Sequence, residues 1–299
     1  MTAAFDPHAL RQPLIDSHCH LDLMLERLGS PDLPTLLRRY RQQNVSQIII
    51  PGLTPHQWPQ LASLCETHPE LYFAIGIHPW WLAELCSPQY EFKSSVISAQ
   101  TVRVVVKSVV APLLEQMHSL SEHPRCVAVG ECGLDGLIDL PIQLQMAVLQ
   151  SHLELANASG LPLIVHSRRT HHHLLQLFKK TQLRHGGVLH GFSGPLASAK
   201  GFIAHNLSLG IGGTITYTRA RQTRLTCQKL PLASCLLETD APDMPLSGHQ
   251  GRPNSPLHLQ TIRDCLANLR SECPEIIAKA TTANAQALFP KLNGSTQAC

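Results

Sequence analysis

Two histidines separated by one residue, His18 and His20, follow a short apolar segment near the start of the chain. Alternate side chains of a β-strand point to the same face, so both imidazoles would face one way and Cys19 the other. Two imidazoles on one face can chelate a single cation. The pair alone is a weak signal, because a chain with 18 histidines produces this spacing by chance and residues 171–173 form a second histidine cluster.

Further residues of ligand type come at the ends of other apolar segments, namely Glu131, His166, His190 and Asp240. A single polar residue after a strand is ordinarily a cap or a loop residue. Five strand ends that together supply four histidines and two carboxylates instead favour a metal site. This donor set suits zinc, manganese, cobalt or ferrous iron, and one carboxylate can bridge two ions.

The segments that would position these residues alternate between strand and helix. Short apolar segments rich in β-branched residues are typical of buried parallel strands. They cover residues 14–16, 47–50, 71–77, 126–130, 162–166, 187–190, 207–210 and 235–238. Helical periodicity is found at residues 33–43, 141–159, 170–180, 198–204, 256–270 and 274–288. Parallel strands joined by helical crossovers, repeated in this way, close into a barrel whose site lies at the carboxyl ends of the strands.

We therefore predict an α/β fold: one (β/α)8 barrel of the TIM type that spans residues 1–299 as a single domain, since no flexible linker interrupts the chain. An open, doubly wound sheet is the alternative. The crossover between the third and fourth strands is irregularly long, and we predict an insertion at roughly residues 87–122. Its segment 101–117 is expected to pack against the outside of the barrel.

Composition narrows the class of protein. The net charge of +3 neither requires nor excludes a nucleic-acid partner. No apolar run is long enough to span a bilayer, and residues 1–13 lack the pattern of an export signal. Ten cysteines without Cys-x-x-Cys spacing are then expected to be free thiols in a reducing compartment. We expect a cytoplasmic protein with no membrane association, and no feature of the sequence indicates a protein partner.

Six segments, in order along most of the chain, carry a more specific signal. They are Ile15-Asp16-Ser17-His18-Cys19-His20, Gly76-Ile77-His78-Pro79, Val129-Gly130-Glu131-Cys132-Gly133-Leu134-Asp135, Val165-His166-Ser167-Arg168, His190-Gly191-Phe192-Ser193-Gly194 and Glu238-Thr239-Asp240-Ala241-Pro242. Together they resemble the TatD family of metal-dependent hydrolases and deoxyribonucleases, a branch of the amidohydrolase-like barrels. Residues 211–219 and 236–254 are most similar to the YjjV branch, whose substrate is poorly defined. Gly136, where the family often has an aromatic residue, and the long crossover depart from the family pattern.

The resemblance implies a division of labour among the ligands. His18 and His20 would bind one metal ion with Asp240, His166 and His190 would bind a second, and Glu131 would bridge the two. The expected cofactors are thus two divalent ions, drawn from zinc, manganese, magnesium, cobalt and iron. Asp240 and Glu131 are the implied catalytic residues, with Asp240 orienting a metal-activated water and accepting its proton.

The resemblance and the arginines of the site face favour a phosphodiesterase or deoxyribonuclease acting on DNA ends or oligonucleotides. Hydrolysis of an ester, a lactone or an amide in a small molecule is the alternative, because the same fold and the same set of metal ligands support both kinds of reaction. A more distant alternative is a nucleic-acid-binding protein without catalysis, which would be expected to have lost ligands.

Two residues are predicted to contact the substrate. Arg168, two residues after a ligand, suits a phosphate oxygen, and His78 either contacts a phosphate or fixes its loop. Trp80 and Trp81 can stack a base, but packing of both against a helix is the favoured interpretation. Other arginines follow the fifth, seventh and eighth strands, and each of them could either bind a phosphate or simply be solvated. They are Arg169, Arg219, Arg221, Arg224 and Arg252.

Overall fold

The computed structural model describes residues 12–29, 31–86, 90 and 97–297. Its eight strands form one sheet in the order β1 to β8, and every neighbouring pair is parallel. The strands are β1 (Leu14–Asp16), β2 (Val45–Pro51), β3 (Leu71–Ile75), β4 (Cys126–Asp135), β5 (Leu163–Arg168), β6 (Gly187–Leu189), β7 (Leu207–Ile211) and β8 (Cys235–Leu237).

Helices connect these strands and follow the last one. They are α1 (Leu21–Arg27), α2 (Leu33–Gln42), α3 (Trp58–Thr67), α4 (Pro79–Cys86), α5 (Ala99–Val105), α6 (Ala111–Ser121), α7 (Ile142–Ser159), α8 (His171–Phe178), α9 (Leu196–Ala204), α10 (Arg221–Lys229), α11 (Leu259–Arg270) and α12 (Pro274–Leu288). The helices α1, α3, α4, α5, α6 and α10 were not among the periodic segments of the sequence.

Backbone hydrogen bonds also join the first and last strands. The N–H of Ser17 donates to the carbonyl of Leu237 at 3.0 Å, and the N–H of Asp240 donates to the carbonyl of His18 at 2.9 Å. The sheet is therefore closed into a barrel, which confirms the predicted TIM-type fold and excludes the open, doubly wound alternative.

Two apolar layers hold the barrel. Alternate strand residues such as Ile15, Ile49, Ile164 and Val188 point inward and form an interior core, which Phe289 from the end of α12 plugs at the amino-terminal side. The opposite faces of the strands pack against the surrounding helices in a second, larger cluster. Burial on both faces explains why the strands are almost continuously apolar.

The irregular crossover between β3 and β4 contains α4, α5 and α6. A π-helical turn, Val106–Val110, joins α5 to α6, and these elements pack against α7 on the outside of the barrel, as expected for segment 101–117. Residues 87–89 and 91–96 of the predicted insertion lie outside the described residues. It stays a prediction that this segment is an insertion relative to the family fold. Among the described helices, none combines the length and the apolarity needed to cross a membrane. The nine described cysteines are free thiols.

Candidate metal centre

The ends of β1 and β8 are held together by the buried carboxylate of Asp16. Its oxygens accept hydrogen bonds from the backbone N–H and the hydroxyl of Thr239, at 2.9 and 2.6 Å. Burial raises the pKa of Asp16 to about 7, although both hydrogen bonds oppose that shift. Because Asp240 follows Thr239, this contact brings Asp240 next to His18 and His20.

Strand alternation carries the histidines of β5 and β6 into the barrel. Ile164 and Val188 belong to the interior core, and His166 and His190 occupy the next inward positions two residues later. A polar layer therefore lies directly above the apolar interior.

Glu131 lies within β4, which continues to Asp135. The sequence had predicted that this strand ends at Gly130, one residue before Glu131. The register against β5 shifts between Val129 and Cys132. Gly133, at φ +154°, allows the close approach of the two strands, since a Cβ there would lie 2.1 Å from the carbonyl oxygen of His166. The longer strand carries the Glu131 carboxylate into the centre of the polar layer.

Four side chains form one group of donors. The Nε2 atoms of His18 and His20 are 3.3 Å apart, and they lie 3.2 and 3.5 Å from Oε2 of Glu131. Both are 3.5 Å from Oδ1 of Asp240. Donors at the vertices of a tetrahedron around a zinc ion, each about 2.1 Å from it, would be about 3.4 Å apart. The spacing fits a divalent cation.

A second group faces the other oxygen of Glu131. Oε1 lies 3.0 Å from Nδ1 of His166 and 2.8 Å from Nε2 of His190, and these two nitrogens are 3.1 Å apart. Glu131 thus presents one oxygen to each histidine pair, which is the arrangement a bridging carboxylate requires. We call the six residues of the two groups the strand-end cluster: His18, His20, Glu131, His166, His190 and Asp240.

The electrostatics of the strand-end cluster favour ionised carboxylates. Burial opposes protonation of His20, His166 and His190, but the facing carboxylates outweigh it and raise the pKa values of all three, that of His190 to about 10, so a cation would bind these rings in place of protons. Burial would raise the pKa of Glu131, but the facing histidines, His190 first, hold it well below its usual range. Burial, together with nearby His190, lowers the pKa of His18 to about 4, so this ring is neutral and able to bind a cation. Oε2 of Glu131 is buried without a hydrogen-bond partner among the described residues. A buried carboxylate oxygen without a partner is costly, and a cation would satisfy it.

Helix α7 supports the site with two buried polar residues that the sequence analysis missed. Nε2 of His152 accepts the backbone N–H of Ile77 at 3.0 Å, just beyond the end of β3. The amide of Gln145 accepts the N–H of Asp135 at 2.8 Å and donates to its carbonyl at 3.1 Å. The two residues are seven positions apart and share one helix face, so their sequence signal is an ordinary amphipathic stripe.

Glu238 is a second buried carboxylate that sequence reasoning left without a role. It accepts the backbone N–H of Gly191, the residue after His190, and it occupies space that a side chain at Gly210 would fill. Burial raises its pKa to about 8. Two signals were available: its inward position, two residues after Leu236, and its place in the segment Glu238-Thr239-Asp240-Ala241-Pro242.

His78 lies beside the strand-end cluster, 3.5 Å from Oε1 of Glu131. Its Nδ1 accepts the backbone N–H of Trp80 at 3.2 Å, and burial lowers its pKa to about 3. A neutral ring whose Nδ1 is an acceptor carries its proton on Nε2. His78 therefore presents a hydrogen-bond donor to the site and has no lone pair for a cation, although three ligand atoms of His78, Glu131 and His166 lie within 4.8 Å of one another.

A cavity of about 690 Å³ opens from the strand-end cluster toward β5 and β6. Its walls include His166, His190 and Asp240 from the cluster, together with Arg168 and Arg169. His171 and His172 also line it, so the histidine run at residues 171–173 contributes to this wall. Arg224 does not line this cavity, and its guanidinium donates to the carbonyl of Ile215 and contacts the Cys265 thiol.

Trp80 contradicts the expectation that both tryptophans are packed. Its side chain is 51% exposed, and its indole N–H donates to the carboxylate of Asp135 at 2.7 Å. Trp81, the next residue, is half-buried. An indole that is open to solvent yet held by a buried carboxylate was beyond prediction, because the contact joins residues far apart in the chain.

A closed (β/α)8 barrel with a buried histidine and carboxylate cluster at its strand ends defines a metal-dependent hydrolase of the amidohydrolase-like type. The model of the family of TatD related DNases matches residues 15–290. The chain belongs to the TatD family.

Known relatives agree with this assignment. The Escherichia coli K12 protein described as an uncharacterized metal-dependent hydrolase, YjjV, is 41% identical over 278 residues, which cover 92% of this chain and 97% of the relative. The crystal structure of YjjV, a TatD homologue, superposes with a TM-score of 0.77 at 39% identity, covering 93% of this chain and 98% of that one. A lactonase from Listeria monocytogenes has a TM-score of 0.63 at 10% identity over 93% of this chain and 94% of its own, a likeness of fold alone.

Proposed function

We propose that the protein is a two-metal phosphodiesterase that acts on DNA ends or short oligonucleotides. One observation carries the proposal: two histidine pairs share a carboxylate, and three residues of this cluster, His166, His190 and Asp240, line a cavity whose wall also holds Arg168 and Arg169. A cation pair beside guanidinium groups matches the charge of a phosphodiester. The family description, TatD related DNase, points to the same substrate class.

The strand-end cluster would hold two divalent ions, one with His18, His20 and Asp240 and one with His166 and His190, with Glu131 between them. When bound, such ions lower the pKa of water and polarise the group under attack. The donor set fits zinc, manganese, cobalt or iron best, and magnesium less well because it prefers oxygen ligands.

Asp240 is proposed as the base because it is the carboxylate of the cluster that reaches the cavity. Its side chain is 16% exposed against 2% for Glu131. Burial would raise the pKa of Asp240, but hydrogen bonding to His20 and the charges of His18 and His190 lower it, so the group is ionised at neutral pH. It can accept a proton from water at the cavity side, while Glu131 has the enclosed, bridging role.

His78 and the arginines would hold the substrate. The Nε2–H of His78 faces the cluster and can donate to a phosphate oxygen, and its Nδ1 contact with Trp80 fixes the ring. Arg168 and Arg169 are exposed on the cavity side of β5 and can each donate to a phosphate oxygen. In this proposal His78 contacts the reacting phosphate and Arg168 a neighbouring one.

A recessed centre restricts the form of the DNA. The cluster lies inside the barrel mouth, where a phosphate within an intact duplex does not reach but a frayed or single-stranded end does. The net charge of +3 and the few arginines at the cavity indicate a small footprint on the strand. The salt dependence of binding should therefore be shallow. A cytoplasmic location, consistent with the free thiols, belongs to the same proposal.

The test compares substrates. A labelled single strand, the matching duplex, a chromogenic phosphodiester and a panel of esters and lactones are given to the metal-loaded protein. We expect turnover of the single strand and the small phosphodiester, with the duplex slower. Turnover of esters or lactones without hydrolysis of any phosphodiester would overturn the proposal in favour of a small-molecule hydrolase. Binding of DNA without any hydrolysis would favour a non-catalytic protein.

A further inference from the structure

One exposed aromatic residue lies at the mouth of the site and is held in place. Trp80, the second residue of α4, is 51% exposed, yet its indole N–H donates to Oδ2 of Asp135 at 2.7 Å. Asp135 itself is fully buried. The buried carboxylate therefore holds the exposed indole ring in a fixed orientation.

Asp135 is fixed from several directions. Its Oδ1 accepts the N–H of Leu137 at 2.8 Å, and Gln145 holds its backbone N–H and carbonyl. The same Oδ2 that accepts the indole N–H lies 3.5 Å from Nε2 of His166. Asp135 therefore connects the ring of Trp80 to the nitrogen of His166 that faces away from Glu131, and a partner of this kind sets the orientation of a ligating histidine.

The mouth of the site has two chemically different sides. On the side of β3 and β4, Trp80 and Leu137 are exposed apolar groups, the latter 45% exposed. On the side of β5, Arg168 and Arg169 line the cavity. We call these four residues the rim. The two sides adjoin, because Asp135 of β4 pairs in register with Arg168 of β5, and the ring of Trp80 lies 5.2 Å from that of His78 beside the cluster. A ligand at the mouth therefore meets a flat apolar surface next to cations.

A nucleotide has this polarity, with a planar base next to a phosphate. We propose that Trp80 stacks the base that adjoins the scissile phosphate, and that Asp135 is the positioning residue that holds both the indole and His166. The inference rests on the proposed function and adds a recognition element to it. Stacking on an aromatic side chain accepts any base, so the protein should require a base beside the cleaved bond without choosing among bases.

The test uses dinucleotides, because they contain a single phosphodiester. Thymidylyl-thymidine is compared with two analogues that lack the base on the 5′ or the 3′ side. For the metal-loaded protein, removal of one of the two bases should raise KM roughly tenfold or more, as expected for the loss of one stacked base. In Trp80→Ala, the KM for the full dinucleotide should be about equal to the KM for the analogue that lacks this base. Trp80→Phe should retain most of the preference for the full dinucleotide.

Substitutions at Trp81 and at Asp135 separate stacking from a general disturbance. Trp81→Ala, on the same helix, should keep the base preference. Asp135→Asn leaves one acceptor oxygen for two donors, the N–H groups of Leu137 and Trp80, so it should weaken the preference, and Asp135→Ala should abolish it. A base preference that is absent in the wild type, or unchanged in Trp80→Ala, would overturn the inference even if phosphodiesters are cleaved.

Fluorescence gives a readout that does not depend on turnover. Titration with thymidylyl-thymidine should quench tryptophan emission in the wild type and in Trp81→Phe, but not in Trp80→Phe. If no dinucleotide is hydrolysed, the proposed function is contradicted. The quenching experiment would still show whether Trp80 stacks on a base. No quenching in the wild type, or equal quenching in Trp80→Phe, would contradict stacking on Trp80.

Discussion

The strand-end cluster and the rim are neighbours that differ in how the protein builds them. The cluster residues come from strand ends of a closed barrel, where the sheet itself sets their directions, and His18 and Glu131 are almost completely buried. The rim residues are exposed, and side-chain contacts such as that between Trp80 and Asp135 set their positions. The cluster suits chemistry that all its substrates share, and the rim suits the choice of substrate.

This difference suggests that reaction and recognition can be altered separately. A change in the cluster should affect the turnover of every substrate. A change in the rim should affect some substrates more than others and leave the metal content intact. Asp135 is the exception, because it contacts both Trp80 of the rim and His166 of the cluster.

Removal of metal should have the largest effect. A strong chelator is expected to abolish hydrolysis, because the two donor groups would no longer hold the ions that activate water. Addition of manganese, cobalt, zinc or magnesium should restore at least part of the activity. Rates and metal content are measured on the same samples, and full activity in protein shown to be metal-free would exclude the role given to the cluster.

Asp240→Asn keeps the size of the side chain but removes a charge and a base. We expect a loss in kcat of on the order of 10²-fold or more, on phosphodiesters and any slower substrates alike. Fold and metal content should change less. The measurement is kcat together with bound metal. Near-normal turnover would show that another group accepts the proton.

His152→Gln tests the support beneath the site through its pH dependence. Burial lowers the pKa of His152 to about 4 from an ordinary value of 6.5, so below pH 6.5 the unfolded chain takes up a proton that the folded protein refuses until about pH 4. His152 should therefore lower the free energy of unfolding of the wild type by roughly 3 kcal/mol between these values, a contribution that the variant lacks. Glutamine can still accept the N–H of Ile77 but does not titrate. Urea unfolding at several pH values should show a shallower pH dependence in the variant, and identical slopes would contradict the assignment.

Arg168→Ala should have the smallest effect of these four changes. It tests whether a change in the rim affects substrate binding without affecting the metal ions of the cluster. Loss of one exposed, charged hydrogen-bond donor to phosphate is expected to raise KM for oligonucleotides about tenfold, with bound metal unchanged. Arg103→Ala, an exposed arginine on α5 remote from the cavity, is the matched control. Equal effects of the two substitutions would mean that Arg168 acts only through overall charge.

The barrel and the membership of the strand-end cluster could be predicted because strand periodicity and strand ends are local properties of the sequence. His18 and His20 come directly after β1, and His166 and His190 continue the inward faces of β5 and β6. The continuation of β4 past Glu131 was missed because the register shift depends on the contact of Gly133 with β5.

The remaining features depend on tertiary contacts that leave no pattern in the sequence. His152 and Gln145 resemble the buried face of any helix, and only the folded structure shows that they hold the ends of β3 and β4. Trp80 was expected to pack because large aromatic side chains usually do. Its exposure follows from Asp135, a partner more than fifty residues away along the chain.

The most direct test of the account is the number and position of the metal ions in a crystal of the protein loaded with manganese or zinc. Anomalous scattering locates such ions independently of the protein atoms. The account predicts two peaks, one contacting His18 and His20 and one contacting His166 and His190, with Glu131 bound to both. A single ion, or ions that do not contact Glu131, would contradict it.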